Sequence, residues 1–166
     1  MAVVDLYSQT DKEAGNGKKF AALNGSGTQT FTAVGTAVVV AADTDASVYR
    51  VLSDLPSNAV PINIAIHHGT ITSGTDYDLG LYEIDSGAVV DVDVLADGLD
   101  LSTARAIAVW NNVGMTSLDI VNGTQSLATL SGQTNPSASY DLCLTANTVG
   151  SATSEEIRVT FVYTTI

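Results

Sequence analysis

One cysteine, three prolines, one tryptophan, two histidines and six basic residues are all that this chain of 166 residues holds of those types. The single Cys143 excludes an intrachain disulfide and any metal cage built from cysteines. Six Lys and Arg are too few to neutralise a phosphate backbone, so nucleic acid is not an expected partner. Long apolar runs are missing as well. The longest aliphatic stretch is Ala37–Ala42, against the roughly 20 residues a membrane helix needs, so no membrane association is expected. The opening MAVVDLYSQTDKEAGNG has neither a basic start nor an apolar block, so no secretory signal is expected and synthesis is assigned to the cytoplasm.

What is present is acid and aliphatic side chain. Eighteen acidic residues give a net charge of −12 and a pI near 4.1, while 45% of the residues are hydrophobic. That fraction is too high for disorder, and 17.1 kDa is enough for one domain with a real core. The charge is unevenly spread. Asp5, Asp11 and Glu13 balance Lys12, Lys18 and Lys19, so the whole −12 falls on the rest of the chain, where Arg50, Arg105 and Arg158 are the only bases. Such a body repels polyanions and stays in solution.

Short runs rich in Val, Ile, Thr and Tyr alternate with turn-formers. Gln29–Val34, Thr36–Ala42, Ser47–Leu52, Ile62–His68, Tyr77–Ile84, Val89–Leu95, Arg105–Trp110, Tyr140–Ala146 and Ile157–Thr165 read as strands. Asp43-Thr44-Asp45, Pro56-Ser57-Asn58, Thr72–Thr75, Asp85-Ser86-Gly87, Asp97-Gly98 and Asn147–Gly150 read as turns. Ile62-Asn63-Ile64-Ala65-Ile66 and Val90-Asp91-Val92-Asp93-Val94 alternate apolar and polar, as strands with one wet side do. The pattern predicts an all-β, antiparallel two-sheet sandwich of jelly-roll type over residues 27–166. A Y-D-L-x-L echo, at Tyr77–Leu81 and Tyr140–Leu144, predicts two strands in equivalent places. One short helix is predicted from a cap at Asn122, with Gln125 at the capping-box position, Leu127 and Leu130 on one side, and Gly132 and Pro136 ending it. A hairpin turn at Asn122-Gly123 is the rival. Residues 1–26 read as an extended arm in which Val3, Val4, Leu6 and Tyr7 belong to a strand that pairs with something else.

Nothing in the sequence resembles an active site. His67 and His68 are adjacent on a strand and point to opposite faces, so they cannot share a ligand. Cys143 has no basic sequence neighbour and reads as a small buried filler. Asp91, Asp93, Asp97 and Asp100 lack the D-x-D-x-D-G loop and bidentate Glu of a calcium hand, although a calcium site among the loop aspartates stays open. Tyr77, Tyr140 and Tyr163 sit on apolar faces and read as core. Trp110, beside Asn111-Asn112, is the one aromatic suited to a sugar platform, which keeps a carbohydrate-binding module as an alternative. No catalytic residue, metal ligand or cofactor is expected.

Several segments resemble, in order along nearly the whole chain, a family of head decoration or cement proteins of tailed bacteriophages. They are Met1–Ser8, Ser47–Arg50 with Leu55–Ala59, Gly74–Tyr82, Gly87–Asp91, Asp100–Arg105 and Tyr140–Thr145; the stretch around Leu118–Leu130 departs from the family's more charged helix. The resemblance implies a non-enzymatic jelly roll on the outside of the virion capsid. It would hold the major capsid protein and associate with itself as a homodimer or homotrimer; a tail or baseplate component is the further alternative.

Overall fold

The computed structural model describes residues 4–5, 29–108, 125–150 and 154–166. Their β-branched and aromatic runs form nine strands: β1 (Val4–Asp5), β2 (Thr30–Val39), β3 (Val48–Pro56), β4 (Ala59–His68), β5 (Asp76–Glu83), β6 (Val89–Leu99), β7 (Arg105–Ala108), β8 (Ser139–Thr148) and β9 (Glu155–Thr165). One helical turn, α1 (Leu127–Leu130), lies between β7 and β8. The strands make two sheets, β1-β2-β9-β4-β7 and β3-β8-β5-β6. The neighbouring pairs are antiparallel. Pairs β2–β9, β3–β8, β4–β7 and β5–β6 nest inside one another, as in a long hairpin rolled over a core, so the all-β jelly-roll expectation holds.

Inward positions at period two fill the space between the sheets. Phe31, Ile64, Ile66, Phe161 and Tyr163 from the five-stranded sheet meet Leu79, Leu81, Tyr140, Leu142 and Leu144 from the other. The buried tyrosines find partners for their hydroxyls. Tyr77 donates to the Val149 carbonyl at 2.6 Å, and the Tyr140 hydroxyl donates to Gln133 Oε1 at 3.0 Å. Tyr77, Tyr140 and Tyr163 are core, as expected.

The two Y-D-L-x-L strands are the adjacent central strands of the four-stranded sheet. Leu79 faces Leu144 and Leu81 faces Leu142, on either side of the Gly80–Cys143 pair, which makes that pair the centre of a local two-fold. The relation extends to the edges. Ser53-Asp54 of β3 bulge opposite Asp141, and Asp97-Gly98 of β6 bulge opposite Asp78, two residues against one in each case. The second bulge residue is left-handed both times (Asp54 φ 58°, Gly98 φ 68°), and its N–H donates to the facing aspartate, at 3.2 Å and 3.0 Å. Asp141 is fully buried, and its other oxygen lies 2.8 Å from Arg50 Nε, an ion pair by distance but out of line for a hydrogen bond.

Four expectations change. Gln29–Val34 and Thr36–Ala42 are not two strands but one, β2, running through Gly35. A Cβ there would stand 1.7 Å from the Val51 carbonyl oxygen, so glycine serves a close approach of β3 and not a break. Asp97-Gly98 is the β6 bulge and not a chain reversal. Ile62 does not share a face with Ile64 and Ile66: it is the extra residue where the β4–β9 register shifts between Pro61 and Asn63, and it is left exposed. The helix is shorter than predicted and is capped by Ser126, whose hydroxyl accepts from Thr129 N–H; Asn122 lies outside the described residues. Leu127 and Leu130 do face the core together.

Asp141→Ala strands the Asp54 N–H and removes the partner of Arg50. A loss of ~1–3 kcal/mol is expected, limited because the guanidinium is half in water, and urea denaturation measures it. Gly35→Ala is expected to lose a similar ~1–3 kcal/mol by overpacking against backbone that cannot turn away.

Candidate functional site

The strands place the chemistry-bearing side chains apart. His67 is exposed and His68 is buried on the opposite side of β4, with its Nδ1 2.7 Å from the Gly69 carbonyl. Cys143 is buried beside Asp141, and its thiol is pushed up to about 11, chiefly by burial and then by that carboxylate. The expectation that it lacks a basic neighbour needs correcting. Arg50 is its cross-strand partner, brought there by the β3–β8 register, but its charge is committed to Asp141. A thiol held so far above neutrality is not a nucleophile.

The acidic stretch of β6 is divided by the bulge. Asp100 caps its own turn by accepting from Ser102 N–H at 2.8 Å. Asp91 and Asp93 stand together on the edge strand, and hydrogen bonding to Asp91 raises the Asp93 carboxyl. Asp97 instead joins Asp76 and Asp78, which the sequence reading passed over; their oxygens lie within 4.8 Å of one another. Alternation along β5 and the β5–β6 register create this trio, so no sequence spacing signals it. Asn147 Nδ2 donates to Asp78 at 2.7 Å and to Asp76 at 3.3 Å, and Gly98 N–H donates to Asp78. Beside them the Asp97 carboxyl is raised, first by the charge of Asp78.

The arm residues are only partly in view. Val4 and Asp5 form β1 and pair with Val34 and Ala33 of β2; Val3, Leu6 and Tyr7 lie outside the described residues, as does Trp110. The β1–β2 pairing involves Ala33 and Val34 alone, so the rest of that β2 edge has no strand partner among the described residues. No helix among the described residues is long and apolar enough to cross a membrane.

Because the folded chain holds the Asp97 proton more tightly than the unfolded chain does, stability falls as pH rises from the ordinary aspartate range through the raised value. Asp97→Asn is therefore expected to raise the melting temperature at pH 7. The gain should shrink to nothing near ~pH 3, where the carboxyl is protonated in both states. Thermal melts of both proteins across that range check it.

No family model and no curated protein matches the sequence. The fold is similar to solved structures. A chain titled "Cyanophage Pam1 capsid asymmetric unit" matches with a TM-score of 0.51 and 12% identity, over 90% of this chain and 94% of that one. A chain titled "Capsid of Ralstonia phage GP4" matches with a TM-score of 0.53 and 11% identity, over 88% of this chain and 90% of that one. At such identities these are likenesses of fold: the jelly roll described above, shared nearly end to end with chains from two phage capsid structures.

Proposed function

We propose that this chain is a bacteriophage head decoration or cement protein, a non-catalytic structural subunit that binds the outer surface of the capsid and ties neighbouring major capsid subunits together. The observation that carries the reading is the near end-to-end match of its jelly roll to chains of two phage capsid structures. The sequence resemblance stated above supports it independently. The chemistry agrees with a passive role: the thiol is held protonated, the histidines are on opposite sides of a strand, and the buried carboxylates are occupied with backbone and arginine.

A cement protein works by rigidity and copy number. Gripping two capsid subunits makes the second contact effectively intramolecular, so modest contacts add to a long residence. Residues 1–26 are the reach of the molecule in this reading. In this reading Val3, Val4, Leu6 and Tyr7 meet a neighbouring sheet edge through their backbone, the kind of pairing that Val4 and Asp5 make with β2. The net −12 suits an outward position, away from packaged DNA.

A reconstruction of purified phage particles with and without the protein tests the reading. Density of jelly-roll size on the outer shell is expected, and absence of the protein from the particles overturns it; density on the tail would move it to that organelle. Deleting residues 1–19 is expected to leave a folded body with capsid occupancy reduced at least ~10-fold. Occupancy unchanged from the full chain, measured on purified particles, would remove the arm from the mechanism.

A further inference from the structure

Asp97-Gly98 is the only step in the sequence where glycine follows an aspartate. After every other aspartate the next residue carries a side chain that crowds its peptide nitrogen, as Leu55, Leu79, Val92 and Leu142 do. The fold sets the pair in the β6 bulge, two residues against Asp78, on an edge strand of the four-stranded sheet. Both residues are exposed, so water reaches their peptide. Gly98 is left-handed, and a Cβ on it would meet nothing within 4 Å, which leaves the peptide room to turn. The Gly98 N–H donates to Asp78 Oδ1 at 3.0 Å. The Asp97 carboxyl stands at the same group, with an oxygen within 4.8 Å of those of Asp78 and Asp76. It is raised first by the charge of Asp78 and further by hydrogen bonding to it. One buried carboxylate thus stands beside both the nitrogen and the carboxyl of a single Asp-Gly step.

We infer that Asp97-Gly98 is a site of self-modification, where the chain closes a succinimide ring between the two residues and reopens it as isoaspartate, with Asp78 carrying the proton. The Gly98 nitrogen attacks Asp97 Cγ. As the N–Cγ bond forms, the N–H proton passes along its hydrogen bond to the Asp78 carboxylate. The Cγ–OH bond then breaks, and the hydroxyl leaves as water with the proton that Asp78 returns. Water next adds to one of the two ring carbonyls. Opening at Cγ restores aspartate. Opening at the Asp97 main-chain carbonyl breaks its bond to the Gly98 nitrogen, and the backbone then runs through Cγ with the new carboxylate on Cα. The balance needs no oxidant, cofactor or other chain. Because the attack is intramolecular, the reactants are already together, and the raised Asp97 carboxyl supplies more of the neutral, reactive form. A bulge is also where one more backbone atom disturbs a strand least, since the ladder there is already interrupted.

The inference needs no capsid, so its failure and that of the capsid reading are distinguishable. The full chain, kept warm at neutral pH for weeks and then digested, is expected to show isoaspartate at Asp97, found by peptide mapping with backbone fragmentation that separates the isomers. The Asn-Gly steps at Asn16, Asn24 and Asn122 isomerise with a gain in mass that this position lacks, so they are told apart. The rate at Asp97 should exceed that in a synthetic peptide of Val94–Leu101, which holds the same step without Asp78, at least ~10-fold. Asp78→Asn, which keeps the shape and cannot take the proton, should lower the rate at least ~10-fold, with melting temperature showing that the fold is kept. Where that variant does not fold, the comparison with the peptide decides. A chain without isoaspartate at Asp97, one that isomerises no faster than the peptide, or a folded Asp78→Asn variant as fast as the wild type overturns the inference.

Discussion

Two buried carboxylates organise half of this molecule. Asp78 and Asp141 occupy equivalent places on the central strands of the four-stranded sheet, and each must find donors because burial without them would be prohibitive. Each takes the N–H of a left-handed residue in a bulge of the flanking edge strand, Gly98 in one case and Asp54 in the other. The aspartates thereby fix where both edges kink, and with them the register of β3 and β6. Ser139 Oγ, donating to Asp54 at 2.6 Å, and the Arg50 guanidinium on Asp141 complete the arrangement on the β3 side. On the β6 side the left-handed place is filled by glycine, which needs no such support.

The kinked edges have a functional consequence. A regular edge strand invites pairing with any passing strand, and bulges withdraw that invitation. In the four-stranded sheet both edges are irregular. Among the described residues, the open backbone lies instead on the five-stranded sheet, along β2 beyond the two residues that β1 covers and along β7. Sheet pairing with other chains is thus left to the edges of the five-stranded sheet.

The same aspartates also divide the surface. By drawing carboxylates into β5, β6 and β8, the fold leaves β2 of the opposite sheet without a charged residue and gathers Glu155, Glu156 and Arg158 at the start of β9. A strongly acidic side and a less acidic side provide orientation, as the proposed capsid role requires. Cys143 illustrates the economy: at the centre of the local two-fold it is a small buried atom group whose proton is held by burial and by Asp141.

Much of this was legible in the residues. Alternation in β5, β8 and β9 marked the core tyrosines and leucines, because period two is a local property of an extended chain. The Y-D-L-x-L echo marked two equivalent strands, and the adjacent histidines were bound to part company for the same reason. What could not be read was whatever depends on a neighbour distant in sequence. Gly35 looked like a break until Val51 was seen pressing on it, and Ile62 looked inward until a register shift turned it out. Asp97 looked like part of a turn until β5 brought Asp76 and Asp78 beside it. Composition and spacing determined that this chain is an acidic β-sandwich; strand pairing alone decided which carboxylates are buried and where the edges bend, since those depend on contacts made only when the hairpin is rolled.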